Sequence, residues 1–115
     1  MVKADYCPER GDLIWLHFSP QAGREQAGRR PALVLTKRSY NQKARLALVC
    51  PVTSKIKGYP FEVVLPEGLA ASGAVLVLSD HVRSVDWESR RAAFIDRAPE
   101  DLVAEVLDGI GLLLE

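Results

Sequence analysis

The chain has 115 residues and a mass of 12.7 kDa, enough for one hydrophobic core and too little for two, so a single domain over residues 1–115 is expected. An apolar content of 48% beside 26% charged residues argues against global disorder, and no apolar run approaches the ~20 residues of a helical membrane span. The formal net charge of +0 hides a segregation: residues 24–57 hold nine bases against one acid (+8), and residues 58–115 hold eleven acids against four bases (−7).

The N-terminus, M-V-K-A-D-Y, lacks the apolar core of a signal peptide, which predicts a cytoplasmic protein with no membrane partner. Residues 1–10 carry no period. Gly11-Asp12 then opens L-I-W-L-H-F, a β-prone run with Ile14, Leu16 and Phe18 on one face and Leu13, Trp15 and His17 on the other. Both faces are largely apolar, so this strand is expected to be covered on both sides. A polar loop follows from Ser19 to Arg30, and Pro31 begins a second strand through A-L-V-L-T. Lys37 to Lys43 reads as a loop carrying Tyr40 and Asn41.

Leu46 to Val52 reads as a buried strand in which Pro51 removes one ladder donor, the mark of an edge or a bulge. Residues 53–60 form a loop with hydroxyls at its root and lysines at its tip. Phe61 to Leu65 and Ala74 to Leu78 are further strands. Val82 to Trp87 and Arg91 to Asp96 alternate well enough for a hairpin about Glu88-Ser89. Pro99 suits the start of a helix whose apolar stripe is Leu102, Val103, Val106, Leu107, Ile110, Leu113 and Leu114. Gly109 and Gly111 each weaken it by about 1 kcal/mol relative to alanine, so it must pack on the sheet. Short strands with one terminal helix define a mostly β fold: a small barrel or sandwich built from a strongly bent antiparallel sheet.

No Gly-rich phosphate loop, nucleophile elbow or metal-ligand helix appears, so any chemistry must come from loop residues. Cys7 and Cys50 have neither C-x-x-C spacing nor clustered histidines, so no metal or cofactor is expected and both read as reduced structural thiols. The loop G-R-E-Q-A-G-R-R-P at residues 23–31 is richer in guanidinium than a turn requires. Arginine offers a planar fork of donors that suits phosphate, and with the basic segment this predicts a polyanion partner.

Four ordered stretches carry a resemblance. G-D-L-I-W at 11–15, E-Q-A-G-R-R-P at 25–31, V-C-P-V-T-S at 49–54 and K-G-Y-P-F-E-V at 57–63 resemble the MazF/PemK/Kid family, the toxin halves of bacterial toxin–antitoxin pairs, most of all its MazF branch. The resemblance implies an SH3-like barrel with a C-terminal helix, a homodimer, and sequence-specific, metal-independent endoribonuclease activity on single-stranded RNA. It also implies a MazE-like antitoxin whose acidic tail covers the RNA surface. Carried over by motif, the catalytic positions fall on Glu25, Arg30 and Thr53. Arg24, Gln26, Arg29, Lys55, Lys57 and Asp80 become RNA-binding candidates. Arg24, Arg29, Leu78 and His81 depart from relatives and bear on which RNA sequence is recognised.

Elementary chemistry is compatible with that transfer. RNA brings its own nucleophile, the 2′-hydroxyl, so the protein has to align, accept and return a proton, and stabilise phosphorane charge. Arg30 suits charge stabilisation, and Thr53 can donate to a phosphoryl oxygen. Glu25 is either the general base or an orienter of Arg30, with orientation favoured. Trp15, Phe18 and Tyr40 read first as core aromatics and second as stacking surfaces for bases. Two other readings stay open. One is a CcdB-like toxin acting by protein contact, and the other is a non-catalytic SH3-like nucleic-acid-binding module.

Overall fold

Asp12 begins the first strand because its carboxylate is the hub of a local network. Asp12 is 2% exposed; it accepts from the Tyr6 hydroxyl (2.5 Å), the Glu9 amide (3.0 Å) and Arg97 Nη1 (2.7 Å). In this computed structural model the described residues are 6–18, 28–69 and 76–115. The strands are β1 (Asp12–Phe18), β2 (Gly28–Val34), β3 (Ala47–Thr53), β4 (Glu62–Val64), β5 (Leu76–Leu78), β6 (Arg83–Val85) and β7 (Ala93–Arg97). Helix α1 (Arg38–Ala44) lies between β2 and β3, and α2 (Glu100–Leu113) follows β7.

All pairings are antiparallel, in the order β4-β5-β3-β2-β1-β7, with β6 on β3. Among the described residues the sheet does not close. Side-chain alternation sorts its apolar residues into two cores. Leu13, Leu33, Cys50, Val52, Val63 and Val77 join Leu102, Val103 and Val106 of α2 on one face. Ile14, Leu16, Ala32, Val34, Ala47 and Val49 join Val85 and Trp87 on the other. Coverage of β1 on both faces is therefore as its sequence requires.

Four local expectations are corrected. β2 starts at Gly28, not at Pro31, because β1 and β2 stay paired out to Phe18 opposite Gly28. Residues 38–44 are a helix, not a loop; it has no apolar stripe and hangs on buried Asn41. Asn41 Nδ2 donates to the carbonyls of Pro8 (2.8 Å) and Thr36 (3.0 Å), its Oδ1 accepts from the Thr36 hydroxyl (2.6 Å), and its own carbonyl accepts from Trp87 Nε1 (3.1 Å).

Nor do β6 and β7 form a hairpin. β6 pairs with β3 and β7 with β1, so the turn over 86–92 crosses from one side of β2 to the other. Finally, Pro51 lies within an interior strand. The Leu48 carbonyl accepts from Leu35 on the β2 side, so by alternation Pro51 faces the opposite edge. There it falls between Val49, the last partner of β6, and Val52, the first of β5, where a missing donor costs no ladder bond.

Helix α2 confirms its expected start, with Pro99 at the N-cap position and Glu100 and Asp101 in the first turn. Gly109 has a packing reason. A Cβ there would meet Ser79 Oγ at 3.2 Å and Phe61 Cδ1 at 3.5 Å, so the glycine lets the helix approach the sheet. The stripe is buried only in its first half. Leu112, Leu113 and Leu114 are exposed, as is Val64 on β4.

Candidate active site

Arg30 and Thr53 come from different motifs and stand on neighbouring strands, β2 and β3. Arg30 lies opposite Leu16 on β1, and Thr53 lies opposite Leu76 on β5. The β2–β3 ladder ends with Ala32 facing Pro51, two residues from Arg30 and from Thr53. Both then project on the face of Ile14, Leu16 and Ala32, away from α2. Arg30 is exposed and Thr53 is half-buried. The Thr53 hydroxyl oxygen accepts from the Lys55 amide at 3.2 Å, which leaves its proton available to donate.

Arg29, one residue earlier, points to the other face of the β1–β2 ribbon. Its guanidinium stacks 4.5 Å over the Trp15 ring. Lys55 and Lys57 lie exposed on the loop between β3 and β4. Asp80 sits in the turn after β5, 3.6 Å from His81 Nε2. Glu25, Arg24 and Gln26 lie outside the described residues.

Two arginines missed by sequence reasoning lie near these strands. Arg83 and Arg90 place their guanidiniums 5.2 Å and 4.6 Å from the Phe18 ring. Arg90 is held in place: its carbonyl accepts from the His17 amide (2.8 Å), and its Nη1 donates to the His17 carbonyl (3.3 Å). The available signal is Arg83 alternating with Val85, but both arginines belong to the acid-rich half, whose net negative charge hides them. The fold returns them to the basic half. Of the three aromatics Phe18 packs against the second core, yet Trp15 and Phe18 are only half-buried and carry cations, and Tyr40 is 46% exposed.

Cys50 is a core thiol. It is fully buried, and burial, reinforced by the Asp80 carboxylate, pushes its thiol up to about 12.

An antiparallel sheet with a C-terminal helix, Arg30 and Thr53 on neighbouring strands and a lysine-bearing loop beside them define a small, mostly β domain. The chain belongs to the family described as PemK-like, MazF-like toxin of type II toxin–antitoxin systems, whose model matches residues 9–114. It is 48% identical over 98 residues to Endoribonuclease toxin MazF of Escherichia coli K12, covering 84% of this chain and 86% of that protein. Endoribonuclease PemK of Escherichia coli is 34% identical over 109 residues, covering 92% and 81%. The toxin fold in a MazE–MazF crystal structure from Deinococcus radiodurans superposes with a TM-score of 0.89 at 55% identity, covering 96% of this chain and 97% of that one.

Proposed function

We propose that this chain is a sequence-specific endoribonuclease that cleaves single-stranded RNA and acts as the growth-inhibiting toxin of a toxin–antitoxin pair. The observation that carries this reading is the placement of Arg30 and Thr53 on the neighbouring strands β2 and β3 in a chain nearly half identical to a MazF endoribonuclease. The 2′-oxygen attacks phosphorus and the bond to the 5′-oxygen breaks. The 2′-hydroxyl proton passes to a base, a proton is returned to the leaving oxygen, and the products are a 2′,3′-cyclic phosphate and a 5′-hydroxyl.

Arg30 stabilises the phosphorane oxygens with its fork, and Thr53 donates to one of them. Glu25 orients Arg30 or serves as the base. Lys55, Lys57, Arg24, Gln26 and Arg29 hold flanking RNA, and Asp80 accepts from a base edge. The protein works in the cytoplasm as one domain, and an antitoxin with an acidic tail competes for the basic surface.

The test is a long mixed-sequence RNA incubated with purified protein in excess chelator. Discrete cuts bearing cyclic phosphate and 5′-hydroxyl ends are expected. Ends with 5′-phosphate, or loss of cutting in chelator, would remove the metal-independent mechanism, and binding without cutting would favour the non-catalytic module. A homodimer is part of the same reading, because Val64, Leu112 and Leu114 leave apolar surface uncovered in a single copy. Sedimentation should report twice the 12.7 kDa chain mass; an active monomer would refute the dimer.

A further inference from the structure

The loop between β3 and β4 has exposed lysines at its tip but is tied down at both ends. The Glu62 carboxylate accepts from two successive backbone amides, Lys57 at 2.9 Å (Oε2) and Gly58 at 3.0 Å (Oε1). Gly58 stands at φ +81°, in the left-handed region, with nothing within 4 Å of a Cβ position. Its glycine therefore serves the turn and not a close approach. Glu62 itself is seated on the sheet: it opposes Leu78 on β5, and its amide donates to the Tyr59 carbonyl at 3.2 Å. The preceding carbonyl, of Phe61, accepts from both the amide and the hydroxyl of Ser79. At the loop's other root the Lys55 amide donates to Thr53 Oγ1.

We propose that Glu62 is a positioning residue for RNA cleavage: its carboxylate clamps the loop so that Lys55 and Lys57 meet the phosphate backbone in a fixed geometry. This rests on the reading of those two lysines as RNA contacts. An acid beside a lysine loop would ordinarily weaken a phosphate site by its own charge. Here both carboxylate oxygens face backbone amides, so the charge is engaged within the turn while the lysines remain exposed. An ordered loop loses less conformational freedom when RNA binds, and that difference appears as affinity.

Glu62→Gln keeps the shape but replaces one acceptor oxygen with a donor facing an amide. Amide exchange at Lys57 and Gly58 should accelerate by ~10-fold in the RNA-free protein, the scale of a lost charge-assisted hydrogen bond. KM for RNA should rise several-fold, about 3–10-fold for a modest loss of pre-organisation, with kcat little changed. The log–log salt slope of binding should shrink by roughly 0.7 for each phosphate contact released. Gly58→Ala leaves every charge in place, strains the same turn, and should reproduce the KM effect.

The double variant Lys55→Ala/Lys57→Ala separates the inference from the reading beneath it. If this pair raises KM and Glu62→Gln adds nothing further in its background, the clamp acts through the lysines. If the pair raises KM while Glu62→Gln frees the amides without moving KM or slope, the inference is overturned and the lysine reading stands. If the pair itself is neutral, the lysine reading is wrong and the inference falls with it.

Discussion

Arg30→Ala should lower the single-turnover cleavage rate by ~10²–10³ while RNA affinity changes little, the scale of losing one donor aimed at developing negative charge. The expectation follows from place as well as type. Arg30 sits in β2 between Arg29 and Pro31, opposite Leu16 of β1, so its backbone is held by the sheet. Arg30→Lys should fare nearly as badly, because an ammonium keeps the charge but not the planar fork. Thr53→Val removes the hydroxyl at nearly constant volume and should slow the same step. Glu25→Gln then divides two mechanisms. A general base would take with it the acidic limb of the pH–rate profile. An orienter of Arg30 would leave the profile unchanged and show strong non-additivity with Arg30→Ala. The second result is expected. Normal folding of Arg30→Ala with wild-type cleavage would discard the site assignment entirely.

A large effect on stability should come from Asn41, a polar residue, on the scale of truncating a buried leucine. Its side-chain amide is fully buried and serves two carbonyls and one hydroxyl. Asn41→Ala leaves the Pro8 and Thr36 carbonyls without these donors. Each stranded buried group costs ~1–3 kcal/mol, so a loss of about 3 kcal/mol is expected. In a domain of this size that is a drop in Tm of roughly 10–15 °C. Thermal unfolding followed by circular dichroism measures it, and a shift under about 3 °C would mean that water or a rearranged Thr36 replaces the amide. Cleavage by the folded fraction should be retained, since Asn41 belongs to the α1 corner and not to the Arg30–Thr53 pair.

Asn41 also marks where sequence reading ends. The alternation of L-I-W-L-H-F, the apolar run around Cys50 and the three-and-four spacing after Pro99 are local, and each element followed from them. The motifs around Arg30, Thr53 and Lys57 could be found by residue type, but residue type did not reveal that Arg30 and Thr53 stand within strands β2 and β3 and not in loops. Residues 38–44 carry no apolar period, so nothing local announces α1. It exists because one buried amide ties it to Pro8 and Thr36. Strand partnership was equally out of reach: β6 and β7 are neighbours in the chain and flank different strands. That choice depends on which edges remain free after β1, β2 and β3 have paired. The same pairing brings Arg83 and Arg90 from the acidic half of the chain to Phe18, and turns Arg29 and Arg30, adjacent in sequence, to opposite faces. Residue type and local period are properties of a segment, and the sequence states them. Which segments share an edge, and which charges therefore share a face, is decided by the sheet as a whole.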